Sequence, residues 1–129
     1  MPQLVKGGKL VFGWTILGQG REVRVPPEAY LEYGFQERES LVFLRGSRSS
    51  GGFILGKRER MDGSILKPRV LAEGWMGEDM LFRLPQSFDF EAGKKFLAVR
   101  GSGLALSFLA FGRIYKEGLR HPEIEEFTP

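Results

Sequence analysis

Cysteine is absent from the 129 residues, which removes disulfides, thiolate metal sites and a cysteine nucleophile at once. Histidine occurs once, as His121, too little for a histidine metal centre. No apolar run approaches the roughly 20 residues that a membrane-spanning helix needs. The segment Leu10 to Leu17, "LVFGWTIL", follows Lys6 and Lys9 but carries Gly13 and Trp14 and lacks an A-x-A-like cleavage site. It reads as a strand and not as a leader, and the expected location is the cytoplasm. Catalytic pairings are missing too. Ser47, Ser49 and Ser50 have no histidine near them in sequence, and no spacing of Asp79, Asp89, Glu37 and Glu91 singles out two carboxylates. Neither an enzyme nor a metal or organic cofactor is expected.

What is present is a basic, β-patterned chain. Lys and Arg number 19 against 16 acids, a net charge of +3. Three of the acids lie in the last nine residues, "HPEIEEFTP", which hold no Lys or Arg; residues 1–120 therefore carry +6. A basic body with an acidic tail at 121–129 suits a polyanionic partner, although solvated surface charge is the commoner meaning of such a balance.

The chain also repeats itself. "LVFLRGS" at 41–47 returns as "FLAVRGS" at 96–102, and laying residues 34–58 over 89–113 gives six identities in 25 positions. Phe35 meets Phe90, Arg45 meets Arg100, Phe53 meets Phe108 and Arg58 meets Arg113. Upstream, "VRVP" at 23–26 answers "FRLP" at 82–85, and Gly13-Trp14 answers Gly74-Trp75. The offsets fall in steps, 61 to 59 to 55, as a duplication with shortened loops would give. The halves are about 5–60 and 65–118 within one domain, 1–120, joined at the Asp62-Gly63 turn signal.

Each half reads as β-β-α-β-β. "REVRV" alternates as a half-buried strand does. "PPEAYLEYG" has proline where a first helical turn tolerates it, and Gly34 as its stop. In the second half "QSFDFE" leaves room for a single turn. "GFILGK" and "LSFLAFGRIYK" read as the closing strands. Four short strands enclose little core alone, whereas two units sharing strands can close and hide their edges. The expected fold is all-β with one or two short helices, a small closed β-barrel of two intertwined repeats, able to stand as a monomeric pseudo-dimer.

At Val25-Pro26, Glu28, Gly34-Phe35 and Glu39, with Leu41 to Leu44 as the following strand, the sequence resembles the AbrB-like swapped-hairpin transcription factors. Arg38 stands where that family's pattern has glycine, and the second half restores it as Gly93, with Lys94 at the acidic position. The tandem arrangement resembles the MraZ-type branch, and "DMLFR", Asp79 to Arg83, matches its Asp-x-x-x-Arg spacing. The resemblance implies duplex DNA as partner, a role in transcription regulation, and arginines presented from β-hairpins.

The candidate DNA-binding residues are Arg21 and Arg24 on the first hairpin, then Arg45, Arg48, Lys57, Arg58 and Arg60 in "RGSRSSGGFILGKRER". The second half adds Arg83, Arg100 and Arg113. Arginine reads both phosphate and base edges, and pairs such as Arg24 with Arg83 would repeat across a two-fold axis, as duplex DNA does. The structural alternative is that they pair with neighbours such as Glu22 and Glu78. A second functional reading uses the polar loop at 46–52, which has no polar counterpart in the other half. Ser47, Arg48, Ser49, Ser50, Gly51 and Gly52 could form a nest for a small anion. Trp14 and Trp75, matched beside glycine, read as core.

Overall fold

The computed structural model describes residues 10–101 and 104–129, so Lys6, Lys9, Ser102 and Gly103 lie outside the described residues. The chain is mostly β. In the first half β1 (Val11–Ile16) and β2 (Glu22–Arg24) lead into α1 (Pro27–Tyr33), then β3 (Ser40–Arg45), β4 (Phe53–Lys57) and α2 (Arg58–Met61). A 3-10 turn (Lys67–Arg69) opens the second half, followed by β5 (Val70–Trp75), β6 (Leu81–Arg83), β7 (Lys95–Arg100) and β8 (Ala105–Leu109). The chain ends with α3 (Arg113–Gly118) and β9 (Glu126–Phe127). Among the described residues no helix is long and apolar enough to cross a membrane.

Local chemistry sets the elements. Pro27 opens α1 with its φ already helical, and Gly34 closes it in the left-handed region while its N–H returns to the Leu31 carbonyl. In the second half residues 86–92 make only turns, one of them from Phe88 N–H to the Pro85 carbonyl at 3.1 Å. Among the described residues three short α-helices stand where one or two were expected. Arg58–Met61, read as the end of a hairpin, is helical because Met61 turns back to be fully buried beneath the sheet. "LSFLAFGRIYK" is a strand only to Leu109; Gly112, at φ 99°, breaks it, and α3 sends Ile114 and Tyr115 against Trp14 and Leu97.

Seven strands pair in the order β5-β3-β4-β8-β7-β1-β9, and β2 pairs with β6 in a separate ribbon. The closed barrel expected from the sequence is not found. β2 and β6 instead lay Val23 and Phe82 onto the inner core, and the ribbon meets the larger sheet's edge strand β5 only through a single bridge, Met76 to Phe82.

Each half gives its first strand to the other: β1 pairs with β7, and β5 with β3. The two ladders correspond pair by pair. Val11–Val99, Trp14–Leu97 and Thr15–Phe96 in one match Val70–Leu44, Glu73–Val42 and Gly74–Leu41 in the other, and both slip register at the same place. The loops agree as well. Leu17 N–H bonds Lys94 O as Met76 N–H bonds Glu39 O, each at 2.9 Å. The true offsets are 59 for β1 and β2, 55 for β3 and 53 for β4. Trp14 therefore corresponds to Glu73 and Trp75 to Ile16, not to one another. Trp14 is core, but Trp75 is 68% exposed on the edge strand, which corrects the reading of both as core. Phe53 corresponds to Leu106; its match to Phe108, like that of Arg58 to Arg113, is out of register by two.

The sheet buries both faces. Phe43, Phe53, Phe82, Phe88, Phe96 and Phe108 fill the inner face, with Phe53 and Phe108 stacked at 4.6 Å where β4 meets β8. Aromatic pairs of this kind add about 0.5–1.5 kcal/mol each to burial. Alternate residues point outward into two smaller clusters: Val42, Leu44 and Ala105 under α2, and Leu97, Val99 and Leu109 under α3.

Candidate functional site

The ten candidate cations divide by what already holds them. Arg21, in the left-handed region at φ 67°, donates to four carbonyls, of Leu84, Pro85, Phe88 and Phe90, at 3.0, 2.9, 2.6 and 3.2 Å. It fastens the second half's turn to the first half. Arg24 donates to the Thr128 carbonyl at 2.8 Å and to that of Asp79. Lys57 is buried, 3.1 Å from Glu39, and donates to the Gly34 carbonyl at 2.9 Å beneath the end of α1. Arg100 grips Glu32 with two nitrogens, which raises the pKa of its guanidinium further. Arg58 reaches Glu73 at 2.7 Å. These five serve the fold.

Arg45, Arg48, Arg60, Arg83 and Arg113 are exposed and make no side-chain hydrogen bond or ion pair with described residues. Arg48, Arg60 and Arg113 lie toward the outer face of the sheet, whereas Arg45, paired with Phe53, projects at the end of β3 on the side of the inner face. Arg45 ends β3 and Arg48 tips the following loop. Arg60 is on α2 and Arg113 opens α3, so neither stands on a hairpin. The loop and α3 touch: Ala110 and Phe111 donate to the Ser50 carbonyl at 2.9 and 3.0 Å, and a Cβ on Gly112 would strike the Ser49 carbonyl. Arg83 alone faces out from the ribbon, diagonal to Arg24 about the Val23–Phe82 pair.

Sequence reasoning missed two exposed cations on the same side. Arg69 ends the 3-10 turn, and Lys116 follows Arg113 on α3. The Lys67-Pro68-Arg69 kink was the only available signal for the first. Misreading α3 as a strand hid the second.

The loop residues Ser47, Ser50 and Gly51 line a cavity of about 320 Å³, together with Arg69. Ser47 Oγ lies 2.6 Å from Ser50 Oγ and 3.2 Å from Ser49 Oγ. Arg48 and Ser49 are exposed at the tip, and Gly52 is buried. Two of the loop's glycines answer to packing: a Cβ on Gly46 would run into the Gly51 carbonyl, and one on Gly52 into that of Phe108. Comparison with protein-family models, with curated proteins and with solved structures returns no match.

Proposed function

We propose that this protein binds duplex DNA, as a cytoplasmic regulator of AbrB-like type, and that the outer face of the sheet is its contact surface. The supporting observation is the division of the cations. Arg21, Arg24, Lys57, Arg58 and Arg100 are held by carbonyls and carboxylates, whereas Arg48, Arg60, Arg69, Arg113 and Lys116 stand free around the outer face and Arg83 stands free on the ribbon. Free exposed arginines can neutralise phosphates without breaking a native contact. The exchanged strands and matched registers support the companion reading of a tandem duplication, a swapped-hairpin pseudo-dimer in one chain that needs no partner copy.

Gel shift on duplex DNA across a salt series tests it. Each lost phosphate contact lowers the slope of log affinity on log salt by about 0.9, so Arg48→Ala with Arg113→Ala should lower it by about two such steps. Arg83→Ala on the ribbon should leave the slope unchanged. If the double variant binds like the parent, the outer face is not the DNA surface. A slope that falls only for Arg83→Ala moves the contact to the ribbon.

A further inference from the structure

At the middle of the outer face, Ile54 of β4 pairs with Ser107 of β8. This is where the two halves meet, because Ile54 and Ser107 are each other's counterparts at the offset of 53. The cavity lies there, and no residue of α2 or α3 is among its described lining. Its apolar lining comes from both halves, with Leu44 and Ile54 from the first and Leu66 and Leu109 from the second. Ser47 and Ser50 stand in the wall because the first half's hairpin loop is two residues longer than its counterpart. Among the described residues the lining contains one charged side chain, Arg69, and no acid.

We propose that this cavity is a binding site for a small amphipathic anion, an apolar body carrying one carboxylate or phosphate. A volume of about 320 Å³ lies at the lower end for ligand sites. At the ~30 Å³ that a water molecule occupies, it has room for on the order of ten non-hydrogen atoms. An all-aliphatic pocket would take a neutral hydrocarbon. This one adds a guanidinium, which meets carboxylate or phosphate with two parallel hydrogen bonds. In the Ser47–Ser50 contact one hydroxyl hydrogen is spent on the other oxygen. With Ser49 donating to Ser47 and Ser47 to Ser50, the Ser50 hydroxyl keeps its donor for the anionic head. Ser107 places a further hydroxyl where the other half has the aliphatic Ile54. The body of the ligand would rest on Leu44, Ile54 and Leu109, and its head would lie between Arg69 and the serine loop.

The test needs no nucleic acid, so its outcome is independent of the DNA reading. Thermal shift and calorimetry would use four probes at matched concentration: hexanoate, phenyl phosphate, hexanol and inorganic phosphate. Hexanoate or phenyl phosphate should stabilise the protein, and whichever is stronger names the head group. Hexanol should bind at least tenfold more weakly, and inorganic phosphate should leave the melting temperature unchanged. Arg69→Ala should remove the preference for acid over alcohol while hexanol binding stays as it was. Ser107→Leu should fill the cavity and abolish both, and Ile54→Phe does the same from the other half should Ser107→Leu fail to fold. Stabilisation by inorganic phosphate equal to that by hexanoate would overturn the proposal. So would full hexanoate binding by Arg69→Ala, or by a folded cavity-filling variant.

Discussion

Arg38 occupies a left-handed backbone, at φ 65°, where a side chain costs about 1–2 kcal/mol. Its counterpart Gly93 sits at φ 92°, and the two N–H groups make matching bonds, to Met76 O and Leu17 O, at 2.7 Å each. The turn therefore demands this conformation in both halves, and only one half has the residue suited to it. Arg38→Gly should stabilise the protein by about 0.5–1 kcal/mol, after the extra freedom that glycine loses on folding. Arg38→Ala should change little, which separates backbone strain from loss of charge. Urea denaturation of the three proteins decides it, and a neutral or destabilising Arg38→Gly would show that the turn carries no strain. The glycine slot was legible in sequence from the pattern around Gly34-Phe35. The pairing of Trp14 with Trp75 was misleading for a physical reason. Strand faces repeat every two residues, so a slip of two keeps each apolar residue on its face and leaves the pattern looking correct. Only the ladder hydrogen bonds distinguish the offsets 59 and 61.

Among the elements, the C-terminal segment departs furthest from its reading as an acidic tail. Residues 121–129 dock: Ile124 is buried, β9 runs parallel to β1 at Trp14 and Thr15, and Glu126 meets Lys95 at 2.9 Å. A two-residue strand has no periodicity to detect, and three acids mask two apolar anchors, Ile124 and Phe127. Before β9, His121 lies 2.7 Å from Glu123 and 3.5 Å from Glu117. The hydrogen bond to Glu123, then the charges of both acids, raise the His121 pKa above its ordinary 6.5. Glu123 is lowered from 4.5 by its own backbone N–H and then by His121. The histidine's contribution is complete below about pH 6.5 and is lost as pH rises through its folded value. The glutamate's is complete above about 4.5 and is lost as pH falls through its own. Docking should be tightest between those limits. The Trp14 N–H, which bonds the Glu125 carbonyl at 2.9 Å, reports it through its hydrogen-exchange protection factor. Protection that stays flat from pH 6 to pH 8 would show that His121 plays no part.

At the scale of the whole molecule, the strand exchange decides what can exist separately. In residues 1–60 only the β3–β4 ladder would keep its partner, since β1, β2 and the far side of β4 pair with β7, β6 and β8. A 1–60 fragment should be unfolded, or should self-associate through the open edges. Light scattering with an amide NMR spectrum tests this, and a monomer with dispersed resonances would refute it. The mostly-β character and the succession of strands along the chain were readable from the repeat, because Arg-Gly-Ser and the proline-headed turns mark equivalent places. The openness of the sheet was not readable, since edge pairing leaves no mark in a pattern that records only which face is apolar. The same exchange fixes when the protein can fold during its synthesis. Val11 waits for Val99, and Phe12 and Trp14 stay uncovered until β7 has been made. Such distant pairing is slow, and an uncovered apolar strand is prone to aggregate. A chain still on the ribosome thus holds one hairpin and little more, and its core assembles only once β7 and β8 have emerged.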